Sequence, residues 1–451
     1  MFENKKVLIL GLARSGNGAA KYLVKHNNEI IVNDNKEEDK LDKEQVKELR
    51  DLGVKLVLGS HPDDLLDESF DYFIKSPGVP IDHKYVLKAR ELGVEVINEA
   101  EMAYRLLPKG INLISITGTN GKTTTTTLTY EIMKEYYKDK VFLTGNIGFP
   151  MIDLIGKVNS GNYVVMEVSA QQLENFKEYK PNVAIFTNIS EAHMEFFKSL
   201  DYYKNLKVKL FSNQTKDDVA ILNYEDKEVL NLTKNIKSTK KYFSSKNKVE
   251  GTYLVGDDIY YNGEYVISRS DIKIAGMHNV ENVMAAITAV KEYGVSNEAI
   301  KKIVSTFNGV EHRLEFCGEV NTRRFYNDTE ATNIKCTQIA LSSFDTDIFV
   351  ILGGLERNQN FEDLIPFSEH VKGILAIGTC RNRVKEYGDK IGVPVIVSEF
   401  LKDGFKDLYE MSTPNSVILL SPGSASWDQY KECEVRGAEF KELVKELKKE
   451  L

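Results

Sequence analysis

Residues Thr117-Gly118-Thr119-Asn120-Gly121-Lys122-Thr123-Thr124 follow the apolar run Ile111 to Ile116. They precede a stretch in which Leu128, Ile132, Met133 and Tyr136 fall on one helical face. Strand, glycine loop and helix form the context in which backbone N–H groups turn inward around phosphate oxygens, and Gly118 and Gly121 permit that turn. Lys122 adds a point charge, and Thr123 can offer its hydroxyl to Mg2+. The strict G-x-x-x-x-G-K-[ST] pattern is not met, because its first glycine would fall at Ile116. A threonine-rich helix start with a fortuitous Gly-Lys-Thr is the bland alternative.

Three further groups could serve such a loop. Glu167 ends the apolar run Tyr163-Val164-Val165-Met166, and a carboxylate at the carboxyl end of a buried parallel strand faces the ligand crevice of an open sheet. Mg2+ bound to nucleotide phosphates wants such hard oxygen ligands; the alternative is a solvated strand end. His193 stands just beyond the run Val183 to Thr187, where a lone histidine is more often structural than catalytic. Lys207 lies in a basic amphipathic stretch, Tyr203 to Phe211, to which composition assigns no role. Earlier in the chain, Gly11-Leu12-Ala13-Arg14-Ser15-Gly16 follows the first apolar run, and Asp34 closes the second. Ala13 replaces the glycine that lets a pyrophosphate approach the backbone, which disfavours a nicotinamide enzyme. A nucleotide-sugar diphosphate held differently, with Asp34 or Asn35 near the uracil or ribose, stays open beside a purely structural βα turn.

The elements that must position these residues show a βαβ rhythm. Short β-branched runs occur at Lys6 to Leu10, Glu29 to Asn33, Val54 to Leu58, Asp71 to Lys75 and Val94 to Ile97. After a helical stretch, Glu99 to Leu107, the rhythm resumes at Ile111 to Ile116, Lys140 to Leu143, Tyr163 to Val168, Val183 to Thr187 and Val219 to Leu222. Asn262-Gly263 between two alternating runs reads as a hairpin, and a helix is expected from Asn279 to Tyr293. A third set of strands follows at Ile348 to Leu352, Ile374 to Ile377, Val395 to Val397 and Val417 to Leu420. The chain has 451 residues, enough for about three domains. The reading is α/β, three consecutive domains at 1–98, 99–309 and 310–451: a Rossmann-like N-terminal domain, a central P-loop ATPase-like domain and a C-terminal Rossmann-like domain.

Composition excludes several classes. With 42% hydrophobic and 28% charged residues, 10 Pro and 30 Gly, the chain is neither collagenous nor disordered. Lys plus Arg number 59 against 67 Asp plus Glu, and a net charge of −8 offers no general pull on nucleic acid or anionic membrane. No apolar run has membrane-spanning length. Cys317, Cys336, Cys380 and Cys433 show no metal-ligand or disulfide spacing. A cytoplasmic monomer with buried thiols is expected.

Taken together, the runs Thr117 to Thr124, Gly145-Asn146-Ile147-Gly148, Glu167 to Glu174, Asn188 to His193, Gly276 to Asn279, His312-Arg313, Asn327 to Asn333 and Ser421 to Ser426 resemble the Mur ligases over essentially the whole chain. The resemblance implies an ATP-dependent amide ligase of peptidoglycan synthesis. ATP would phosphorylate the L-alanyl carboxylate of a UDP-N-acetylmuramoyl-L-alanine substrate, and the amine of D-glutamate would attack the acyl phosphate. By motif, the resemblance implies that Gly118, Thr119, Asn120, Gly121, Lys122, Thr123, Thr124, Asn279, Asn282, Arg313 and Asp328 bind ATP, with domain closure. Thr123, Glu167, His193 and Lys207 would serve two Mg2+ ions, with Lys207 carbamylated and Lys122, His193 and Lys207 catalytic. Leu12, Ala13, Asp34, Asn35, Lys36, Ser76, Asn146 and Gln172 would hold the UDP substrate, and Thr332, Arg357, Ser426 and Cys433 the D-glutamate.

Three positions depart from the family pattern. Glu330 stands where the Asn-Asp-Ser-Lys-Ala-Thr-Asn run usually has lysine, Arg357 replaces a lysine, and Cys433 replaces a common aromatic. Glu330 is the feature favouring a non-catalytic nucleotide-binding protein. Another ligase of the superfamily, such as a different Mur ligase or folylpolyglutamate synthetase, is the nearer alternative, and the uridine-type N-terminal segment argues against the folate enzyme.

Overall fold

The structure, a computed structural model, describes residues 2–191, 196–197 and 199–451. Three sheets follow one another along the chain. The first is all parallel, in the order Lys55–Leu58, Glu29–Asp34, Lys6–Leu10, Tyr72–Lys75, Glu95–Ile97. Val7 to Leu10 are buried without alternation, as a strand covered on both faces requires. Register sets Leu10 opposite Asn33 on one side and Lys75 on the other, so Gly11, Asp34 and Ser76 emerge at a shared carboxyl edge. The chain order reverses there, where open α/β sheets bind ligands.

The second sheet has nine strands. Asn112–Thr117 lies between Tyr163–Glu167 and Val183–Phe186, with Ile116 opposite Glu167 and Thr117 opposite Phe186. Val141–Gly145 flanks Tyr163–Glu167, while Val219–Asn223, Thr239–Ser244 and Gly251–Val255 continue in parallel beyond Val183–Phe186. The far edge is antiparallel, where Asp258–Tyr261 and Glu264–Ser268 form the expected hairpin about Asn262-Gly263, both at positive φ.

The third sheet runs Glu315–Val320, Arg323–Asn327, Val417–Leu420, Ile348–Gly353, Val371–Ile377, Val395–Val397, with its first pair antiparallel. That first pair is absent from the pattern reading. Charged Glu315, Glu319, Arg323 and Arg324 dilute its hydrophobic signal, and its turn uses Asn321-Thr322, both at positive φ, without the usual glycine.

The chain divides into two compact units, Met1–Ser268 with Glu281–Ile303, and Arg269–Val280 with Val304–Leu451. In the first unit, two sheets share one apolar core. Ala19, Ala20 and Leu23 of helix Arg14–Val24 join Met102 and Ala103 of helix Glu99–Leu106, Met151, Ile152 and the strand residues Val164 and Met166. Asn98 caps the Glu99–Leu106 helix by accepting the Glu101 N–H at 2.9 Å. The second unit has apolar clusters on both faces of its sheet, one built on Val350, Leu352 and Ile374, the other on Ile351, Leu375 and Ile377. No helix of the described residues is long and apolar enough to cross a membrane.

Glu99 is a buried carboxylate inside the shared core, and its Oε1 accepts the Ile152 N–H at 2.6 Å. Burial pushes its pKa from 4.5 up to about 7, with Asp153 adding to the rise and the hydrogen bond opposing it. Between those values the native state holds a proton that the unfolded chain has lost, so this group's contribution to stability falls as pH rises. Glu99→Gln keeps an acceptor for Ile152 and removes the titration. The Tm of the variant relative to wild type should therefore rise between about pH 5 and about pH 8; a difference independent of pH would refute the assignment.

Candidate functional site

The glycine loop leaves the central strand at Thr117, whose hydroxyl donates to Val168 O at 2.9 Å, and is pinned from the neighbouring strand end. The Thr119 N–H donates to Asn188 O and the Asn120 N–H to Asn188 Oδ1, both at 2.9 Å. Gly118 passes so close to Thr187 that a Cβ would lie 1.9 Å from its hydroxyl. Gly121 has φ +79°, and a Cβ there would lie 2.2 Å from Asn282 Oδ1. Helix Lys122–Tyr137 begins directly after it with no side-chain cap. The first-turn amides of Thr123 and Thr124 are thus donors for an anion, beside Lys122, whose Nζ donates to Thr119 O at 2.9 Å. Asn282 also accepts the Thr125 hydroxyl at 3.3 Å, which ties helix Met277–Lys291 to this loop.

Lys207 is 1% exposed and donates from Nζ to Gly118 O at 2.7 Å. Burial holds its amine well below the usual lysine range; the Lys122 cation pushes the same way and Glu167 opposes it. Four residues earlier on the same helix face, Tyr203 packs its ring 4.7 Å from that amine and meets the Thr119 hydroxyl at 3.1 Å. Glu167, also 1% exposed, accepts the Asn146 amide on Oε1 at 2.8 Å. Its Oε2 is buried with no hydrogen-bond partner among the described residues. A carboxylate oxygen buried in that way suits a hard cation such as Mg2+. His193 lies outside the described residues.

Lys122, Lys207, Tyr203, Asn146, Ser169, Ala170, Gln171, Pro77 and Gly78 line one cleft of about 330 Å3. Gln171 reaches this lining, and the adjacent Gln172 closes a capping box in which its Oε1 accepts the Ser169 N–H at 2.9 Å. Tyr203 was legible from its i, i+4 spacing to Lys207 and was passed over.

Leu12, Ala13, Asp34, Asn35, Lys36 and Ser76 all line a second cleft of about 490 Å3, joined by His61 and His83, which the sequence reading did not single out. Asp34 shapes the glycine turn: Oδ2 accepts the Leu12 N–H at 2.7 Å and Oδ1 the Lys36 N–H at 3.0 Å. Gly11, at φ +97°, passes close to Ser76, whose hydroxyl donates back to Gly11 O at 3.1 Å. Pro77 and Gly78 border both clefts. Their loop is braced by Lys75, which donates to Val79 O at 2.6 Å and pairs with buried Glu174 at 3.1 Å. Glu174 in turn accepts the hydroxyl of Tyr202, on the helix of Lys207, at 3.0 Å.

In the second unit, Thr332 and Arg357 line a cleft of about 560 Å3 with Asn333, Lys335, Gln338 and Ser424. Ser426 is buried and Cys433 sits by Glu434, and neither lines it. Asp328 accepts the Ser421 hydroxyl at 2.8 Å, and burial raises its pKa to about 7. Glu330 pairs with Arg313 at 3.5 Å, a half-exposed contact of small energetic value. Asn279 donates to Ala275 O at 2.7 Å. The assignment of Asn279, Arg313 and Asp328 to a nucleotide rests on the resemblance. Arg436, fully buried and absent from the sequence reading, donates to Thr329 O, Thr329 Oγ1 and Ser424 O at 3.0–3.1 Å.

Residues 5–98 match the family description "Mur ligase MurD-like, N-terminal domain", and residues 116–290 match "Mur ligase middle domain". Over 449 residues the chain is 42% identical to UDP-N-acetylmuramoylalanine–D-glutamate ligase of Enterococcus hirae, covering 99% of this chain and 97% of that one. Among solved structures, UDP-N-acetylmuramate-alanine ligase MurC from Thermotoga maritima superposes with a TM-score of 0.59 at 20% identity, over 98% of this chain and 99% of that chain. MurF ligase from Thermotoga maritima in complex with ADP superposes with a TM-score of 0.58 at 15% identity, over 100% and 96%. These two likenesses show the fold.

The loop geometry generates a sharp expectation. Gly121→Ala forces a Cβ into Asn282 at a backbone angle L-residues rarely adopt, so calorimetric ATP binding should weaken at least about tenfold while the far-UV spectrum is unchanged. Binding at wild-type strength would show that the loop does not hold the phosphates.

Proposed function

The chain belongs to the Mur ligase family, and from that premise we propose that it is the ATP-dependent ligase joining D-glutamate to UDP-N-acetylmuramoyl-L-alanine in peptidoglycan synthesis, with release of ADP and phosphate. The observation that carries the reading is the Pro77–Gly78 loop, which borders both the nucleotide-sugar-type cleft and the cleft containing Lys122 and Lys207. A substrate seated with its uridine end in the first cleft would bring its lactyl-alanyl carboxylate to the phosphate loop. We assign the domain limits 1–98, 99–309 and 310–451 to UDP-substrate, ATP and amino-acid binding. The nucleotide substrates argue for the cytoplasm.

A carboxylate attacking a γ-phosphate brings anion to anion. Lys122 and the uncapped first turn of its helix offset that repulsion and hold the phosphates for in-line transfer. The amine of D-glutamate then attacks the acyl carbon, and the tetrahedral adduct expels phosphate. Two Mg2+ ions supply charge neutralisation on the phosphates when bound. Thr123 and Glu167 would hold one, and the orphaned Glu167 Oε2 fits that duty. His193 and Lys207 would serve the other.

Lys207 can act there only as an anion. Its burial favours the neutral amine, the form that adds carbon dioxide to give a carbamate and one proton. The carbamate would present oxygens where the ammonium presented charge of the wrong sign. Asn146 reaches the cleft while steadying Glu167, and Gln171 offers an amide beside it.

The test is phosphate release from ATP with UDP-N-acetylmuramoyl-L-alanine and D-Glu, L-Glu, L-Lys or D-Ala in turn. Only D-Glu should support turnover, and Lys122→Ala should lower it by at least about a hundredfold. Turnover with another of the four instead of D-Glu would refute the reading. Lys207→Ala should lose most activity, recover part of it with added formate or acetate, and lose the carbamate carbon signal that the wild type shows in NMR after labelling with 13C-bicarbonate. A fully active, carboxylate-independent variant would remove the carbamate from the mechanism.

A further inference from the structure

The 560 Å3 cleft of the second unit is bordered by two cations, Lys335 and Arg357, and one carboxylate, Asp363. Asp363 is engaged within its own segment, where its Oδ1 accepts the Asn360 amide at 2.8 Å. Among the described residues, neither Lys335 nor Arg357 has a carboxylate at ion-pair distance. Charges just outside the lining are paired: Arg383 with Glu356 at 2.7 Å, and Lys390 with Glu362. The guanidinium of Arg357 lies 4.6 Å over the ring of Trp427, which leaves its N–H fork available to a ligand.

Lys335 sits against local preference. It is in the first turn of helix Ile334–Leu341, whose N-cap Asn333 accepts the Cys336 N–H at 3.1 Å, and a cation there opposes the helix dipole. An anion bound between the lysine and the helix start would reverse that penalty. Glu330, where the family pattern has lysine, faces Arg313 instead of this lining, so Lys335 and Arg357 are the cations that border the cleft.

Resting on the reading of the preceding subsection, we propose that Lys335 is a specificity-determining residue. With Arg357 it forms a two-point clamp for a dicarboxylate amino acid, one cation per carboxylate, with the amine left unclamped for attack. Lys335 and Arg357 are exposed, so a monocarboxylate would lose one of two charge-assisted contacts without stranding a buried charge.

The experiment measures phosphate release in Lys335→Gln, Lys335→Arg and, as a control remote from the cleft, Lys406→Gln. Lys335→Gln should raise the D-glutamate KM at least about tenfold with the ATP KM within about twofold, and Lys335→Arg should recover most of the loss. A structural role would move both KM values or neither. An unchanged D-glutamate KM in Lys335→Gln, with a wild type active on D-glutamate, overturns the clamp and leaves the proposed reaction standing. A wild type inactive on D-glutamate refutes the reaction instead. The clamp is then read by titrating glutarate, the bare dicarboxylate, against the emission of Trp427, the one tryptophan in the chain. Binding that weakens at least about tenfold in Lys335→Gln supports the clamp, while no change or no wild-type binding overturns it.

Discussion

A lysine amine buried against the carbonyl of Gly118 is the contact on which the central site depends. Among the described residues, an ammonium in that position has one backbone oxygen and an aromatic face for company, with a second lysine nearby and no carboxylate in hydrogen-bond reach. Burying an unpaired charge costs several kcal/mol, so the fold instead lowers the amine's proton affinity. The loop is a glycine loop for a separate, steric reason: the close approach of Gly118 to Thr187 leaves no room for a side chain.

The helix that carries Lys207 is held from two sides. Tyr203 bonds inward to Thr119 of the phosphate loop, and Tyr202 bonds to Glu174, which pairs with Lys75. Lys75 and Glu174 are both buried, and such a pair is weak evidence for stability, since apolar residues of similar volume would do as well. Its value is positional. Through Val79 it fixes the loop shared by the cleft of Asp34 and the cleft of Lys122, so distances between them are set by hydrogen bonds. The shared apolar core beneath, from Ala19 to Met166, keeps the two sheets in one unit.

In the second unit the equivalent anchor is Arg436. Its guanidinium joins Thr329 to Ser424, which lines the cleft bordered by Lys335 and Arg357. It satisfies carbonyl and hydroxyl oxygens instead of a carboxylate, and burial lowers its pKa to about 10, which still leaves it charged at neutral pH. A positive charge so placed adds to the field that Lys335 and Arg357 present to an anion.

What the sequence determined by itself follows from period and punctuation. Parallel strands covered on both faces read as unbroken apolar runs, so Lys6–Leu10 and Val417–Leu420 were legible to the residue. The phosphate loop was legible because glycines and a lysine between strand and helix have few other uses. Tertiary structure decided the rest. The edge hairpin Glu315–Val320 with Arg323–Asn327 is stabilised by pairing to Val417–Leu420, a partner ninety or more residues away that no local pattern can announce. The capping box that Gln172 closes on Ser169 is likewise a property of the folded turn. The state of Lys207 is the clearest case. In the sequence it is one basic residue on an amphipathic helix. Only the packing of Tyr203 and Gly118 around it, with the Lys122 charge nearby, lowers its proton affinity, because desolvation belongs to the assembled site and to no single residue.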